Sequence, residues 1–157
     1  NTKMMNIKSA VQVGDYIVRQ AIEINKPVTP MKLLKLVYMC HGWMLGVYHR
    51  PLIQEEVEAW QYGPVIRVLY EAVRDYRSQA ITDSLTANPG VFDSDEQSVI
   101  GQVFSKYGDF SGIKLSQLTH MKGTPWDRTY NLQGQNGVIS NDIIEDYYSR
   151  LISENNN

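Results

Sequence analysis

The sequence is poor in the residues that build disulfides, metal sites and membrane spans. Its 157 residues include a single cysteine, Cys40, which excludes an internal disulfide and a zinc site made of several cysteines. No apolar run approaches the ~18 residues that span a bilayer, and the start of the chain lacks the pattern of a signal peptide. We therefore expect a cytoplasmic protein with no membrane partner.

An excess of basic residues is also missing. Fifteen Lys and Arg stand against 17 Asp and Glu, giving a formal net charge of −2. General adhesion to nucleic acid or to an anionic membrane is therefore not expected, because both depend on a basic surface. Hydrophobic residues make up 43% and charged residues 20%, which is typical of a globular domain that folds without staples.

Signatures of catalysis and metal binding are sparse. The sequence has no glycine-flanked serine, no phosphate-binding glycine loop and no His-x-x-x-His pair. The candidate metal ligands are Cys40, His41, His49 and His120, but adjacent Cys40 and His41 point about 100° apart on a helix and cannot easily share an ion. Cys40 falls on an apolar stripe, where thiols are usually inert. We predict no catalytic residue, metal or cofactor; a small hydrolase-like site pairing His120 with a carboxylate is the enzyme alternative.

Apolar residues recur at helical spacing through most of the chain. The pattern predicts a helix over residues 9–25 and a central core helix over 29–47, started by Thr29 as cap and Pro30 in the first turn. A third helix is expected to restart at Gly63-Pro64. Downstream, we predict a loop over 82–92, a fourth helix over 94–108 opened by a Ser94 and Gln97 capping box, a fifth after Ser111 and a last one from Ser140.

Alternation of apolar and polar residues replaces the helical period between the second and third helices. It predicts one short extended or two-stranded β segment around residues 52–61. The expected fold is a mostly-α single compact domain of about six helices over residues 6–153. Residues 1–5 look like a tag remnant and start region, and residues 154–157 like a polar tail.

Aromatic residues are numerous, with three Trp and ten Tyr. Tyr and Trp are enriched at the energetic centres of protein interfaces. Trp60 and Tyr62 flank the break at Gly63, and an acidic run at residues 55–58 precedes them. A carboxylate pair within that run is possible, but a solvated or partner-facing edge is favoured. We therefore expect a protein-binding surface around residues 55–62.

A helix followed by a turn and the 29–47 segment superficially resembles a helix-turn-helix. A recognition helix should expose Arg, Asn or Gln to the bases, whereas this segment offers Lys32 and Lys35 on an acidic chain. A nucleic-acid partner is therefore not expected. A DNA-binding autoregulator is kept only as an alternative.

One block of the sequence is specific enough to suggest a family. A lysine-leucine helix at residues 31–38 is followed by Pro51-Leu52 and by Glu58-Ala59-Trp60-Gln61-Tyr62-Gly63-Pro64-Val65. Thr119-His120 and Pro125-Trp126 come later. In this order the motifs resemble the Panacea domain, the family of SocA-like antitoxins and phage-associated GepA-like proteins, over roughly residues 11–152.

The resemblance implies an α-helical, non-catalytic antitoxin that neutralises a toxin, usually encoded beside it, by protein contact. It also allows an adaptor that delivers the toxin to an ATP-dependent protease, and a phage or prophage accessory protein that binds a host protein. The candidate structural or partner-binding residues are Lys32, Lys35, Tyr38, Trp43, Glu55, Glu58, Trp60, Tyr62, Gly63, Pro64, Thr119, His120 and Trp126. A further hypothesis is that Lys32 or Lys35 bonds Glu58 and locks the extended segment onto the central helix.

Overall fold

The computed structural model describes residues 6–155, which form a mostly-α single domain, as predicted. Within that range there are seven α-helices, a three-residue 3-10 turn and three short strands. The helices are α1 (Ala10–Glu23), α2 (Pro30–Tyr48), α3 (Arg67–Val73), α4 (Ser94–Tyr107), α5 (Gly112–Thr119), α6 (Pro125–Gln133) and α7 (Asn141–Asn155). The strands are β1 (Val57–Trp60), β2 (Gly63–Val65) and β3 (Gly137–Ile139), and the 3-10 turn is Arg74–Tyr76.

Helix α2 is the centre of the fold. Thr29 takes the extended cap conformation without donating or accepting a side-chain bond, and Pro30 occupies the first turn. Every residue from Leu33 to Gly42 is buried, because α1, α4, α5 and α7 surround the helix. Gly42 allows the closest of these approaches, since a Cβ there would clash with the ring of Tyr148 on α7. The prediction of a central core helix is confirmed.

The predicted β segment is part of a three-stranded antiparallel sheet with the order β2-β1-β3. Strands β1 and β2 form a hairpin in which Trp60 pairs with Gly63, leaving Gln61 and Tyr62 as its two turn residues. Pro64 is tolerated because β2 lies at the sheet edge. The third helix therefore begins at Arg67 and not at Pro64, which is a correction to the sequence prediction.

Two helix starts differ from the sequence predictions. Helix α4 is capped one residue earlier than expected: Asp93 accepts the Glu96 backbone N–H and Glu96 accepts that of Asp93, each over 2.9 Å. The predicted Ser94 and Gln97 capping box is wrong. Helix α6 was not predicted, although Thr124 caps it by accepting the Asp127 N–H over 3.2 Å.

The remaining boundaries follow the sequence more closely. Ser9 caps α1, Ser111 caps α5 and Ser140 accepts the Ile143 N–H at the start of α7. The 82–92 segment contains neither helix nor strand. Helix α7 continues to Asn155, two residues beyond the predicted domain end. The tag-like start, residues 1–5, lies outside the described residues. None of the described helices is long and apolar enough to cross a membrane.

Candidate functional site

Three side chains from three helices hold the hairpin turn, residues 60–64, in place. The Trp126 indole N–H of α6 donates to the Trp60 carbonyl over 2.6 Å. The Ser116 hydroxyl of α5 donates to the Tyr62 carbonyl over 2.6 Å, and the Lys35 amine of α2 donates to the Pro64 carbonyl over 3.0 Å. The turn is therefore a fixed part of the domain surface.

Gly63 is required by the geometry of this turn. Its φ of +124° lies in a region that residues with a side chain rarely adopt. A Cβ at this position would also lie 3.1 Å from the Lys35 Nζ atom and 3.5 Å from the Thr119 Oγ1 atom. The glycine thus lets the turn backbone approach the buried amine closely.

Lys35 is a buried lysine whose only described hydrogen bond is the one to Pro64. The residue is 3% exposed, and this burial lowers the pKa of its amine to about 8. No carboxylate within residues 6–155 forms an ion pair with Lys35 or Lys32. The hypothesis of a lysine bond to Glu58 is therefore wrong, although Lys35 does fix the extended segment through a backbone carbonyl.

Glu58 instead bonds Trp60 on the same strand and Arg67 at the start of α3. Its carboxylate accepts the Trp60 indole N–H over 3.0 Å and two guanidinium N–H groups of Arg67 over 3.0 and 3.3 Å. Partial burial raises the pKa of Glu58, but the bonds from Arg67 and Trp60 outweigh it and the net shift is downward. The Arg67 guanidinium lies 5.1 Å from the Trp60 ring centre, and the Tyr70 ring packs edge-on at 5.0 Å. The Trp60 side chain is thereby held from three directions.

The acidic run before the hairpin has mixed roles. The Glu55 carboxylate accepts the Ala10 backbone N–H over 2.8 Å at the start of α1, so it satisfies a helix N-terminus. Glu56 is exposed and Glu58 is held by Arg67. The structure therefore gives Glu55 and Glu58 intramolecular partners and leaves Glu56 facing solvent.

The later motif residues gather behind the turn. Thr119 is buried and its hydroxyl donates back to the Leu115 carbonyl over 2.8 Å. The His120 ring lies 5.3 Å from the Trp126 ring, which stacks on Tyr130 at 4.6 Å. His120 Nδ1 is 3.5 Å from the Ser116 hydroxyl, but that hydroxyl already donates to the hairpin. Within residues 6–155, no hydrogen bond joins His120 to a carboxylate.

Three predicted site residues on α2 lie apart from the turn. Tyr38 is buried, which raises the pKa of its phenol, and its ring meets Tyr148 edge-on at 6.3 Å. Trp43 is half-buried and contacts the same tyrosine at 5.1 Å. Burial also lowers the pKa of the half-buried Lys32 amine. Tyr38 and Trp43 are thus packing residues of the α2–α7 contact.

Sequence reasoning missed the structural role of His41. Its Nδ1 atom accepts the backbone N–H groups of Leu52 and Ile53 over 3.2 and 3.4 Å, and Nε2 bonds the Asn141 side-chain oxygen over 2.9 Å. Burial lowers the pKa of His41 to about 4, against the Asn141 bond, which raises it. The ring is therefore neutral and ties the proline-leucine segment and α7 to the central helix. No local sequence pattern at His41 or at Pro51-Leu52 indicates this contact.

The alternatives weighed from the sequence find little support in these positions. Cys40 is fully buried, and burial raises the pKa of its thiol, which makes it a poor nucleophile. Within residues 6–155, no three His, Cys, Asp or Glu side chains are grouped to hold an ion. Because α2 is surrounded by other helices, it cannot enter a DNA groove as a recognition helix.

The structure is a mostly-α domain around a buried central helix, with the Glu-Ala-Trp-x-Tyr-Gly-Pro-Val hairpin fixed at its surface by side chains from three helices. The family model described as antitoxin SocA-like, Panacea domain, matches residues 33–127, more than half of the chain. The chain therefore belongs to this family. It is similar to the antitoxin SocA of Caulobacter vibrioides, with 28% identity over 134 residues that cover 79% of this chain and 71% of the relative. No solved structure matches it significantly.

Proposed function

We propose that this chain is a non-catalytic, cytoplasmic antitoxin that neutralises a protein toxin by direct contact. The observation that best supports this proposal is the hairpin turn. The family motif forms the turn, and side chains from three helices fix it at the surface. Family membership supports an antitoxin, and the toxin would be the product of a neighbouring gene in a bacterial or prophage operon. Delivery of the bound toxin to an ATP-dependent protease is a finer form of the same proposal.

The turn presents residues suited to the centre of an interface. Tyr62 is 65% exposed and Gln61 is exposed beside it, while the backbone beneath them is bonded from α2, α5 and α6. A tyrosine on a fixed backbone loses little conformational entropy when it binds, which favours affinity. We therefore assign Tyr62 the role of principal aromatic contact.

The acidic edge beside the turn would extend the contact. Glu56 faces solvent, and Glu58 and Glu71 line a shallow surface with it on the outer side of the hairpin. Charged groups at the rim of an interface mainly select the partner and accelerate its approach. Glu55 contributes less in this proposal, because its carboxylate bonds the start of α1.

Growth rescue tests the proposal directly. The adjacent open reading frame is expressed in bacteria with and without this chain, and the two proteins are then co-purified. The expected result is growth arrest by the neighbour alone, restored growth with this chain, and a stable complex. A Cys40→Ala variant with an unchanged melting temperature should rescue equally, because the proposal uses no nucleophile.

The other outcomes separate the finer forms. Rescue that requires intact ATP-dependent proteases would assign the adaptor role to the chain. A harmless neighbour, or rescue without any complex, would contradict neutralisation by contact. If the neighbour does not arrest growth, a screen for host proteins that bind this chain would test the accessory-protein alternative.

A further inference from the structure

A groove of about 430 Å³ lies beside the hairpin turn. It is lined by the start of α2, the turn and the segment from Tyr70 to Arg77, and its walls are mainly aliphatic and aromatic: Met31, Leu34, Trp60, Tyr62, Val65 and Tyr70. This space is enough for one or two side chains of a partner.

Every charged residue that lines the groove is a cation. The buried Lys35 lines it, as do Arg74, which begins the 3-10 turn, and Arg77, which directly follows that turn. Both arginines are exposed, and no ion pair within residues 6–155 includes either of them. The Lys35 amine has three N–H donors and one described acceptor, the Pro64 carbonyl. No described carboxylate therefore forms an ion pair with these cations, although Asp75 lies between the two arginines in the chain.

The backbone at the edge of this groove is unusual. Arg77 has φ +56° and ψ −114°, a combination that residues with a side chain seldom adopt. Its N–H donates to the Arg74 carbonyl over 2.9 Å, which closes the turn that carries both arginines. Backbone outliers of this kind cluster at binding sites, where the surrounding structure holds them in place.

We propose that the groove binds an acidic segment of the toxin. A carboxylate of that segment meets Arg74, Arg77 and Lys35, and a neighbouring apolar side chain packs against Trp60 and Tyr70. Arginine binds carboxylates through two parallel N–H bonds, so the pair supplies geometry as well as charge. The assignment rests on the proposed function and specifies the chemistry of the toxin surface that this chain recognises.

Negative charge on the other side of the hairpin favours a protein over a nucleic acid as the partner of this groove. Four carboxylates and one cation line the outer surface next to the hairpin: Glu55, Glu56, Glu58, Glu71 and Arg67, which pairs with Glu58. A long polyanion that followed the groove outwards would meet these carboxylates, whereas a folded protein can present only one or two acids. The formal net charge of −2 acts in the same direction.

Charge reversal tests the assignment with the full chain and the neighbouring toxin. The test variant is Arg74→Glu with Arg77→Glu, and the control with the same change in net charge is Lys106→Glu with Arg150→Glu, two exposed cations outside the groove. Melting temperatures establish that each variant is folded. We expect the test variant to bind the toxin about a hundredfold more weakly than the wild-type chain, with the control within about threefold.

The outcomes separate this proposal from the proposed function. Toxin binding by the test variant that equals the control would overturn the groove assignment and leave the antitoxin role intact. If the wild-type chain binds no toxin, the antitoxin role fails, and synthetic peptides decide the groove: a Glu-Phe peptide should bind and its Gln-Phe analogue should not. Equal binding of the two peptides, no binding of either, or displacement by single-stranded RNA at physiological salt would overturn the assignment.

Discussion

Trp126 on α6 donates its indole N–H to the main-chain carbonyl of Trp60 over 2.6 Å, although 66 residues separate them in the chain. The bond joins the two tryptophan elements of the family motif. It explains why Pro125-Trp126 accompanies the Glu-Ala-Trp block: one fixes the hairpin that the other forms.

Replacing Trp126 by Phe should weaken the domain. The ring can still stack on Tyr130, but the Trp60 carbonyl loses its donor, at a cost of about 1–2 kcal/mol in the free energy of unfolding. Trp43→Phe is the matched control, because Trp43 is also half-buried and its indole nitrogen forms no described hydrogen bond. Urea denaturation of both variants measures the difference; equal losses would mean that the indole bond contributes nothing.

Gly63→Ala should destabilise the hairpin through its backbone. The positive φ and the nearby Lys35 amine together lead us to expect a loss of about 1–3 kcal/mol. Gly101→Ala gives the contrasting control: this helical glycine has open space around it and should gain about 0.5–1 kcal/mol. Thermal melts of the two variants should shift in opposite directions. A Gly63→Ala variant as stable as the parent would contradict the described turn.

His41 should make stability depend on pH below neutrality. Its pKa of about 4 in the folded chain lies below the ordinary value of 6.5, so the unfolded chain binds more protons between these values. The contribution of neutral His41 to the free energy of unfolding is fully present above pH 6.5 and falls by about 3 kcal/mol as the pH approaches 4. Between pH 6.5 and 5, above most carboxyl titrations, His41→Asn should lose this slope while being less stable at pH 7. An unchanged slope by urea denaturation would refute the assignment.

Lys35 should also make the stability of the domain rise with pH, but in the alkaline range. The folded pKa of about 8 lies below the ordinary 10.5, so stability should rise by about 3 kcal/mol as the pH rises between them. The Lys35→Met variant removes this amine alone. The other titratable residues that line the groove remain: Arg74, Arg77, Tyr62 and Tyr70. That variant should lack the rise, and at pH 7 the removal of a buried charge should at least offset the lost bond to the Pro64 carbonyl. The same alkaline rise in both proteins would contradict the finding that the Lys35 amine is buried without an ion pair to a described carboxylate.

The sequence predicts the helices well where a cap, a proline and an apolar period coincide. Thr29-Pro30 followed by the Leu33, Leu36 and Val37 stripe gives α2 nearly to the residue. Thr124-Pro125 is the same start signal, but α6 buries only Pro125 and Thr129, so no apolar stripe follows the signal to indicate a helix. Strand β3 has three residues and only Ile139 is buried, so it has no alternation to detect.

The sequence motif names candidate site residues but does not give their arrangement. The motif points to Lys35, Trp60, Gly63 and Trp126, yet their contacts depend on tertiary packing that no local pattern encodes. A lysine and a glutamate in one motif favour an ion pair, whereas Arg67 follows the hairpin and reaches Glu58 instead. The amine is then free to bond the Pro64 carbonyl.

The measurement that tests the central claim most directly is the affinity of the purified toxin for a Tyr62→Ala variant. Tyr48→Ala is the control, since Tyr48 is 37% exposed and lies about 20 Å along α2 from Lys35. The account predicts that Tyr62→Ala weakens toxin binding about tenfold or more and impairs growth rescue, while the control retains both. Full toxin binding by a folded Tyr62→Ala variant would contradict the proposal that this chain binds its toxin through the hairpin turn.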